Sequence, residues 1–398
     1  MRCRDPLGKD SCTKPANRIA LILVGTALLP AAYALPVSGA ESETEIRAAL
    51  ATHDRAIHVH DNWVRDPYIV LAPGGYYYYT GTTQMPGPPP AEARYNTGLG
   101  PTSRVGWHVR VWRSVDLVAW EALGWPYTLK DTIWYQTERE VFDQAPPEQW
   151  RVWAPELHWV GDRWALVHTT PQPLAPRVGG TLVLSAGAEV KGPWRSPLGT
   201  RIGRRHDPSL FRDDDGTWWM IWGATQIAPL KPDFSDYAAE PTRIGPSGAT
   251  AKMGHEGCLL RKIAGRYVLF GTGWSTGQMR KGSYNLYYAT AAEITGPYSE
   301  RKFAGRFLGH GTPFQDKRRR WWCTTFFNAN VPPISDDDIA QRNLSANAFT
   351  INQQGLTLVP LDVRLVDGDI FVRAKDPRYA TPGPDEAQDF AGPSGPLK

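Results

Sequence analysis

The amino-acid sequence predicts an all-β fold, a five-bladed β-propeller. Long helical periodicity is scarce, and the 398 residues include 17 Trp, 16 Tyr, 38 Gly and 35 Pro, the composition of short aromatic strands cut by turns. One pattern recurs five times at about the spacing of a four-stranded blade. A second, shorter repeat keeps the same phase.

Each of the five segments runs from an ionisable residue through four mostly apolar residues to a turn and an aromatic-rich strand. The first is Asp66-Pro-Tyr-Ile-Val, turning at Gly74-Gly75 into Tyr76–Tyr79. The second is Glu156-Leu-His-Trp-Val, turning at Gly161-Asp162 into Trp164-Ala-Leu-Val. The third is Asp207-Pro-Ser-Leu-Phe, turning at Asp213–Gly216 into Trp218-Trp-Met-Ile-Trp. The fourth is Glu256-Gly-Cys-Leu-Leu, turning at Ala264-Gly265 into Tyr267-Val-Leu-Phe. The fifth is His310-Gly-Thr-Pro-Phe, turning at Lys317–Arg320 into Trp321-Trp-Cys-Thr. From the second start onward the spacing is 49 to 54 residues. The longer first interval holds the Pro-rich stretch Gln84–Pro101 and the segment Asp131–Gln149, both read as inserted loops. Ser185–Trp194 and Ala289–Tyr298 share a pattern ending in Gly-Pro-aromatic, 104 residues or two blades apart. Ser114–Trp120 takes the same outer place in the first blade, and Thr350-Ile351 with Gly355–Pro360 reads as strand that completes the ring.

The propeller is expected over residues 41–373. Before it, a basic stretch ending at Arg18, an apolar run Ile19–Leu29 and the small residues around Ala32-Tyr33-Ala34 have the layout of a signal peptide in residues 1–40. Cleavage after Ala34 or after Ala40 fits equally well, and secretion or a periplasmic location follows. The apolar run is short for a membrane span, and no other stretch resembles one. Residues 374–398 are Pro-rich and polar, read as a surface tail. Within the mature chain only Cys258 and Cys323 remain. A disulfide would need Cβ atoms about 4 Å apart, and two buried free thiols are the simpler reading. Lys and Arg number 44 against 40 Asp and Glu, a net charge of +4 without a basic stripe, which argues against a nucleic-acid partner. The sequence sets no oligomeric state.

The first strand of each propeller blade lines the central channel, so equivalent positions of five blades meet around the axis. Here they carry Asp66, Glu156, Asp207, Glu256 and His310. Carboxylates crowded at one end of a channel perturb one another's pKa values and mark a functional site. Paired carboxylates are what glycosidic bond cleavage needs, one ionised and one protonated, and a third raises the acid's pKa by repulsion. No Gly-rich phosphate cradle or nucleophile elbow is present.

At these residues the chain resembles glycoside hydrolase family 43. The resemblance runs from about Asp61 to Trp322 and rests on Arg65-Asp66-Pro67, Trp153-Ala-Pro-Glu156, His206-Asp207-Pro-Ser209, Glu256-Gly257 and Gly309-His310-Gly311. It implies a five-bladed propeller that inverts configuration, with Asp66 as general base, Glu256 as general acid, and Asp207 orienting Glu256 and raising its pKa. It also implies that His310 helps hold a calcium or other ion through its hydration shell, and that Glu156 lines the sugar pocket. No cofactor is required for the chemistry. Arg65 stands where many members have His, and Gly257-Cys258 where Gly-Pro is common. There is no room for an appended β-sandwich.

The carbohydrate substrate expected is an α-L-arabinofuranoside or β-xyloside of plant-type polysaccharide side chains. Trp153 and Trp274 would stack on sugar rings, although core packing explains them equally well. His255 adjoins Glu256 as pocket lining. His158, His206 and His255 are not read as catalysts, because neighbours on a strand face opposite ways. Asp213–Asp215 reads as a solvated turn. Two other readings remain: a retaining enzyme like the fructan-cleaving propellers, whose Asn-Asp-Pro-Asn-Gly signature is missing, and a propeller that only binds carbohydrate. Retention of all three carboxylates argues against the last.

Overall fold

The computed structural model describes residues 41–86, 103–174, 179–250, 252–339 and 341–390. The signal-peptide reading of residues 1–40 and most of Gln84–Pro101 fall outside them. The chain first forms helix α1 (Glu43–Thr52), capped by a reciprocal Ser42–Glu45 pair, then strand β1 (Ile57–His60). Blade one follows as β2 (Val64–Leu71), β3 (Tyr77–Thr83), β5 (Trp112–Ser114) and β6 (Glu121–Ala122), with a side ribbon of β4 (His108–Val109) and β7 (Tyr127–Thr128).

Blade two is β8 (Arg151–Trp159), β9 (Trp164–Gln172) and β10 (Gly180–Leu184), its outer edge completed by a bridge from Leu184 to Arg195. Blade three is β11 (Ser209–Arg212), β12 (Trp218–Trp222), β13 (Gln226–Pro229) and β14 (Thr242–Arg243). Blade four is β15 (Glu256–Ile263), β16 (Arg266–Trp274), β17 (Tyr284–Ala291) and β18 (Lys302–Gly305). Blade five is β19 (Pro313–Gln315), β20 (Trp321–Thr325), β21 (Leu356–Val366) and, as its outer strand, β1 from the other end of the propeller chain. Beyond the blade, β21 pairs with β22 (Asp369–Ala374).

All five predicted turns are the hairpins between the first and second strands of their blades. The second repeat is also where it was expected: Ser114–Trp120, Ser185–Trp194 and Ala289–Tyr298 each lead from the third to the fourth strand position.

The second strands explain why sequence alternation is weak. In β9, Trp164 and Leu166 enter a cluster shared with blade one, while Ala165 and Val167 enter one shared with blade three. In β16, Tyr267 and Leu269 face blade three, and Val268 and Phe270 face blade five. Each blade is sandwiched between two others, so both faces of its strands are apolar and the run reads as continuous. The same geometry settles the cysteines. Cys258 lies between blades three and four, Cys323 between blades four and five, and both are buried free thiols.

Several readings need correction. Asp131–Gln149 is not a plain loop but carries short helices α2 (Ile133–Thr137) and α3 (Arg139–Gln144), which bury Phe142 against Trp150. Thr350-Ile351 is not strand, and the ring is completed by β21 together with β1, which carries no turn or repeat signature. The C-terminal segment is not a loose tail through residue 390: helix α4 (Pro377–Ala380) buries Tyr379, and Phe390 stacks on Tyr287 with ring centres 5.7 Å apart.

Ring closure rests on Ile57, Val59 and α1 packed against Trp322 and Leu358. Ile57→Ala is therefore expected to cost about 2–5 kcal/mol, measured by denaturant unfolding. Leu365→Ala, at a position 57% exposed, should stay within about 0.5 kcal/mol.

Candidate active site

The inner end of every blade contains one residue with left-handed backbone: Asp66 (φ 51°), Ala154 (φ 45°), Asp207 (φ 45°), Gly257 (φ 63°) and His310 (φ 56°). Around it the first strand skips register. Arg65 pairs opposite Thr82 and Tyr68 opposite Thr80; Trp153 pairs opposite Thr169 and Glu156 opposite Val167; Glu256 pairs opposite Thr272 and Leu259 opposite Phe270. The five equivalent positions are thus Asp66, Ala154, Asp207, Gly257 and His310. The expected equivalence of Glu156 and Glu256 with them is corrected: Glu156 lies two places further along its strand, and Glu256 one place earlier.

Non-glycine residues are strained in this conformation, and threonines on the second strands brace it. The Thr82 hydroxyl accepts the Ala154 amide at 2.7 Å and donates to Asp66 Oδ2 at 2.8 Å. Thr169 Oγ1 accepts the Asp207 amide at 2.7 Å and donates to its Oδ1 at 3.2 Å. Thr324 Oγ1 accepts the Thr312 amide at 2.8 Å and donates to the Pro67 carbonyl of blade one at 2.6 Å. Gly257 has a further reason to be glycine, because a Cβ there would meet the His310 ring at 2.7 Å.

His310 is the hub. Its Nδ1 lies 3.2 Å from Asp66 Oδ1 and its Nε2 3.8 Å from Asp207 Oδ2. Burial disfavours the charged ring, but Asp66, Asp207 and Glu256 together push its pKa up to about 10, so it is an imidazolium. Burial would likewise raise Asp66, yet the charges of His310 and Arg65 and the bonds from His310 and Thr82 hold it well below the usual carboxylate range.

Asp207 and Glu256 titrate as a coupled pair. Burial, with the charges of Glu256 and Asp66, raises Asp207 against the pull of His206 and His310. For Glu256, burial is outweighed by His310, His206 and a 2.7 Å bond from the Tyr284 hydroxyl, so its carboxyl falls below the ordinary value. Within the pair, Asp207 therefore holds a proton more readily than Glu256. Burial and the adjacent Glu256 keep the Tyr284 phenol protonated and donating.

His206 was set aside on the ground of strand alternation, yet its Nε2 stands 3.5 Å from Asp207 Oδ1 and 3.9 Å from Glu256 Oε2, because the left-handed turn at Asp207 breaks that alternation. Three further neighbours, Thr82, Thr169 and Tyr284, were unread, although Thr recurs at Thr82, Thr169, Thr272 and Thr324 near the ends of the second strands. His206, Asp207 and Glu256 each offer one ligand atom within 4.8 Å of the others, a donor set of a kind that fits a divalent cation. His310, with both nitrogens turned to carboxylates, acts as a cation itself.

Glu156 does not join the cluster; its carboxylate bonds His158 Nε2 at 2.9 Å, and His158 Nδ1 meets the Tyr68 hydroxyl at 3.2 Å. Trp153 is half-buried, edge-on to His206 with ring centres 6.2 Å apart. Trp274 is only 5% exposed and packs on Tyr284, so as placed it serves as a wall. His255 is half-buried and accepts the Trp274 amide at Nδ1, 3.4 Å away.

The C-terminal segment braces this wall. Asp385 accepts from Ser275 Oγ, from the Ser283 amide at 3.2 Å and from Arg306 at 3.0 Å, and the Ala387 amide donates to the Ser275 carbonyl at 2.7 Å. Ser283 directly precedes Tyr284. The neighbouring Glu386 accepts from Tyr287 Oη at 3.0 Å and Asn285 Nδ2 at 2.9 Å, and burial raises its pKa to about 7.

Left-handed kinks, a buried imidazolium and three carboxylates at the mouth of a five-bladed channel define a carbohydrate-active β-propeller. The profile of the glycosyl hydrolases family 43 matches residues 59–356, and the chain belongs to that family. It is 27% identical over 207 residues to the xylosidase/arabinosidase 43B of Humicola insolens, and 26% identical over 208 residues to a putative beta-xylosidase of Escherichia coli (strain K12). Each match covers 50% of this chain and 37% of the relative, so the alignments span little more than a third of those proteins. Among solved structures, a GH43_1 enzyme from Xanthomonas citri superposes with a TM-score of 0.54 at 17% identity, covering 83% of this chain and 97% of the other. The GH43 BlXynB protein from Bacillus licheniformis superposes with a TM-score of 0.53 at 18% identity, covering 85% and 61%. At these identities the likeness is one of fold.

Two consequences are testable. Gly257→Ala is expected to displace His310 and lower turnover of any glycoside at least about tenfold, since misplacement of about 1 Å costs more than that; steady-state rates read it. Glu386 is raised, so its contribution to stability is full below its unfolded pKa of about 4.3 and is lost as pH rises through about 7. The melting temperature of the wild-type protein should therefore fall progressively from about pH 4 to about pH 7 relative to Glu386→Gln, and level off above that.

Proposed function

We propose that this protein is an inverting, secreted glycoside hydrolase acting on plant-type polysaccharide or oligosaccharide side chains, as an α-L-arabinofuranosidase or β-xylosidase. The observation that carries the reading is the division of charge in the site. Asp66 is held ionised by His310 and Thr82, while of the adjoining pair Asp207 is pushed up and Glu256 down, so the two differ in their hold on a proton. An ionised carboxylate and a protonated partner are what glycoside cleavage requires. The names of the two relatives, a xylosidase/arabinosidase and a putative beta-xylosidase, suggest the sugar class, and the apolar amino-terminal stretch supports export.

In this mechanism Asp66 Oδ1 and Oδ2, fixed by the imidazolium and the Thr82 hydroxyl, take a proton from the attacking water. Glu256 is 27% exposed to solvent water. A bound sugar excludes that water and raises the Glu256 pKa, so a proton on Asp207 passes to Glu256. Glu256 then delivers it to the leaving oxygen, and His310 steadies the newly charged Asp207. Tyr284 fixes the Glu256 carboxylate by its bond to Oε1. Trp153 and His206 border the sugar, with His255 and Trp274 behind the acid.

The test is release of aryl alcohol from arabinofuranosides and xylosides, with the product anomer followed by NMR. Asp66→Asn and Glu256→Gln are expected to lower kcat by about 100- to 10,000-fold, with an inverted first product. Retention of configuration would favour the fructan-type mechanism. Binding of oligosaccharides without turnover by the wild type would favour a carbohydrate-binding module.

A further inference from the structure

The hairpin connection between β16 and β17 carries Arg280 in left-handed backbone (φ 60°). Its guanidinium lies 5.6 Å from the Trp274 ring centre; Trp274 in turn packs 4.6 Å from Tyr284, and Tyr284 bonds Glu256. Arg280 is half-exposed, and among the described residues its guanidinium makes no ion pair or hydrogen bond. Arg65, the residue before Asp66, has Nη2 3.4 Å from Asn328 Oδ1 and its guanidinium 5.7 Å from the Phe326 ring centre. The positive charges of Arg65 and Arg280 are close enough to repel each other, while the charge of Glu256 attracts Arg280.

This arrangement is costly for a site that takes only neutral sugar. Like charges repel, and non-glycine left-handed backbone adds strain. The connection is nevertheless held firmly from behind by Asp385, which binds Ser275 at one end and Ser283 at the other. Hydroxyl groups could be met by any polar side chain. A planar guanidinium lying beside an aromatic wall instead suits a carboxylate, which it binds in two-pronged fashion. The same wall leads to the acid, so the group bound there belongs to the sugar being cleaved or to its direct neighbour.

We propose that the substrate carries a uronate, whose carboxylate is received by Arg280 and Arg65 beside Glu256. This rests on the glycosidase reading and narrows its substrate class to acidic side-chain glycans. Arg280 is then a specificity-determining residue, and the neutral part of the glycan is recognised elsewhere in the pocket.

Two matched oligosaccharides test it, one bearing glucuronic acid and the same compound with that carboxyl reduced to the alcohol. Calorimetric titration into the Asp66→Asn protein avoids turnover. The acidic ligand is expected to bind about tenfold tighter or more, with the advantage shrinking as salt rises. Arg280→Met on that background should abolish the preference while leaving affinity for the reduced ligand within about twofold. Equal affinity for the two ligands, tighter binding of the reduced one, or no binding of either overturns the proposal. Failure of the glycosidase reading would look different: charge preference in binding, with no glycoside cleaved by the wild-type protein.

Discussion

At the inner end of each blade the chain passes through one left-handed residue, and the chemistry of the channel depends on that kink. A straight strand would send successive side chains to opposite faces. The kink at Asp207 instead lets His206 and Asp207 approach the same carboxylate, and the kink at Gly257 lets Glu256 enter one place earlier than its counterparts. Threonines from the second strands hold these kinks by accepting hydrogen bonds from backbone amides, and two of them donate a hydrogen bond to a site carboxylate. Backbone strain and site electrostatics are thus supported by the same hydroxyls.

The second constraint is charge. Three buried or half-buried carboxylates cannot all ionise side by side without a counterion. His310 answers this by standing between Asp66 and Asp207 as an imidazolium. It divides the carboxylates into one that is held ionised and a pair whose members differ in their hold on a proton. Tyr284, fixed in β17, reinforces the division by donating to Glu256. The opposite shifts of Asp207 and Glu256 depend on which partners reach each carboxylate, and those partners come from different blades.

The wall beside the acid is built from a distance. Trp274, Tyr284 and Arg280 belong to one hairpin, and the hairpin is clamped by Asp385 and Ala387 from the end of the chain. Arg306, buried with Asp385, completes this ion pair. A segment whose composition suggests a solvated tail therefore shapes the mouth of the site. Glu386 beside it, with a pKa near 7, makes the clamp sensitive to pH in the neutral range.

Blade number, the hairpin turns and the candidate carboxylates Asp66, Asp207 and Glu256 were legible because each blade repeats a local solution: an apolar strand, a turn of Gly or Asp, an aromatic strand. Local sequence determines such elements, since hydrogen bonding within a hairpin and burial of both its faces need only neighbouring residues. Other features were not legible. The closure of the ring by β1, the separation of Cys258 from Cys323, the withdrawal of Glu156 to His158 and the convergence of Arg65 with Arg280 all join residues far apart in the chain. They depend on register skips and on which blades are adjacent, and those are decided only when five sheets pack around one axis. The sequence by itself determined the propeller and its carboxylates; tertiary packing decided which of them hold a proton more readily, because pKa follows from distance, burial and counterions rather than from order along the chain.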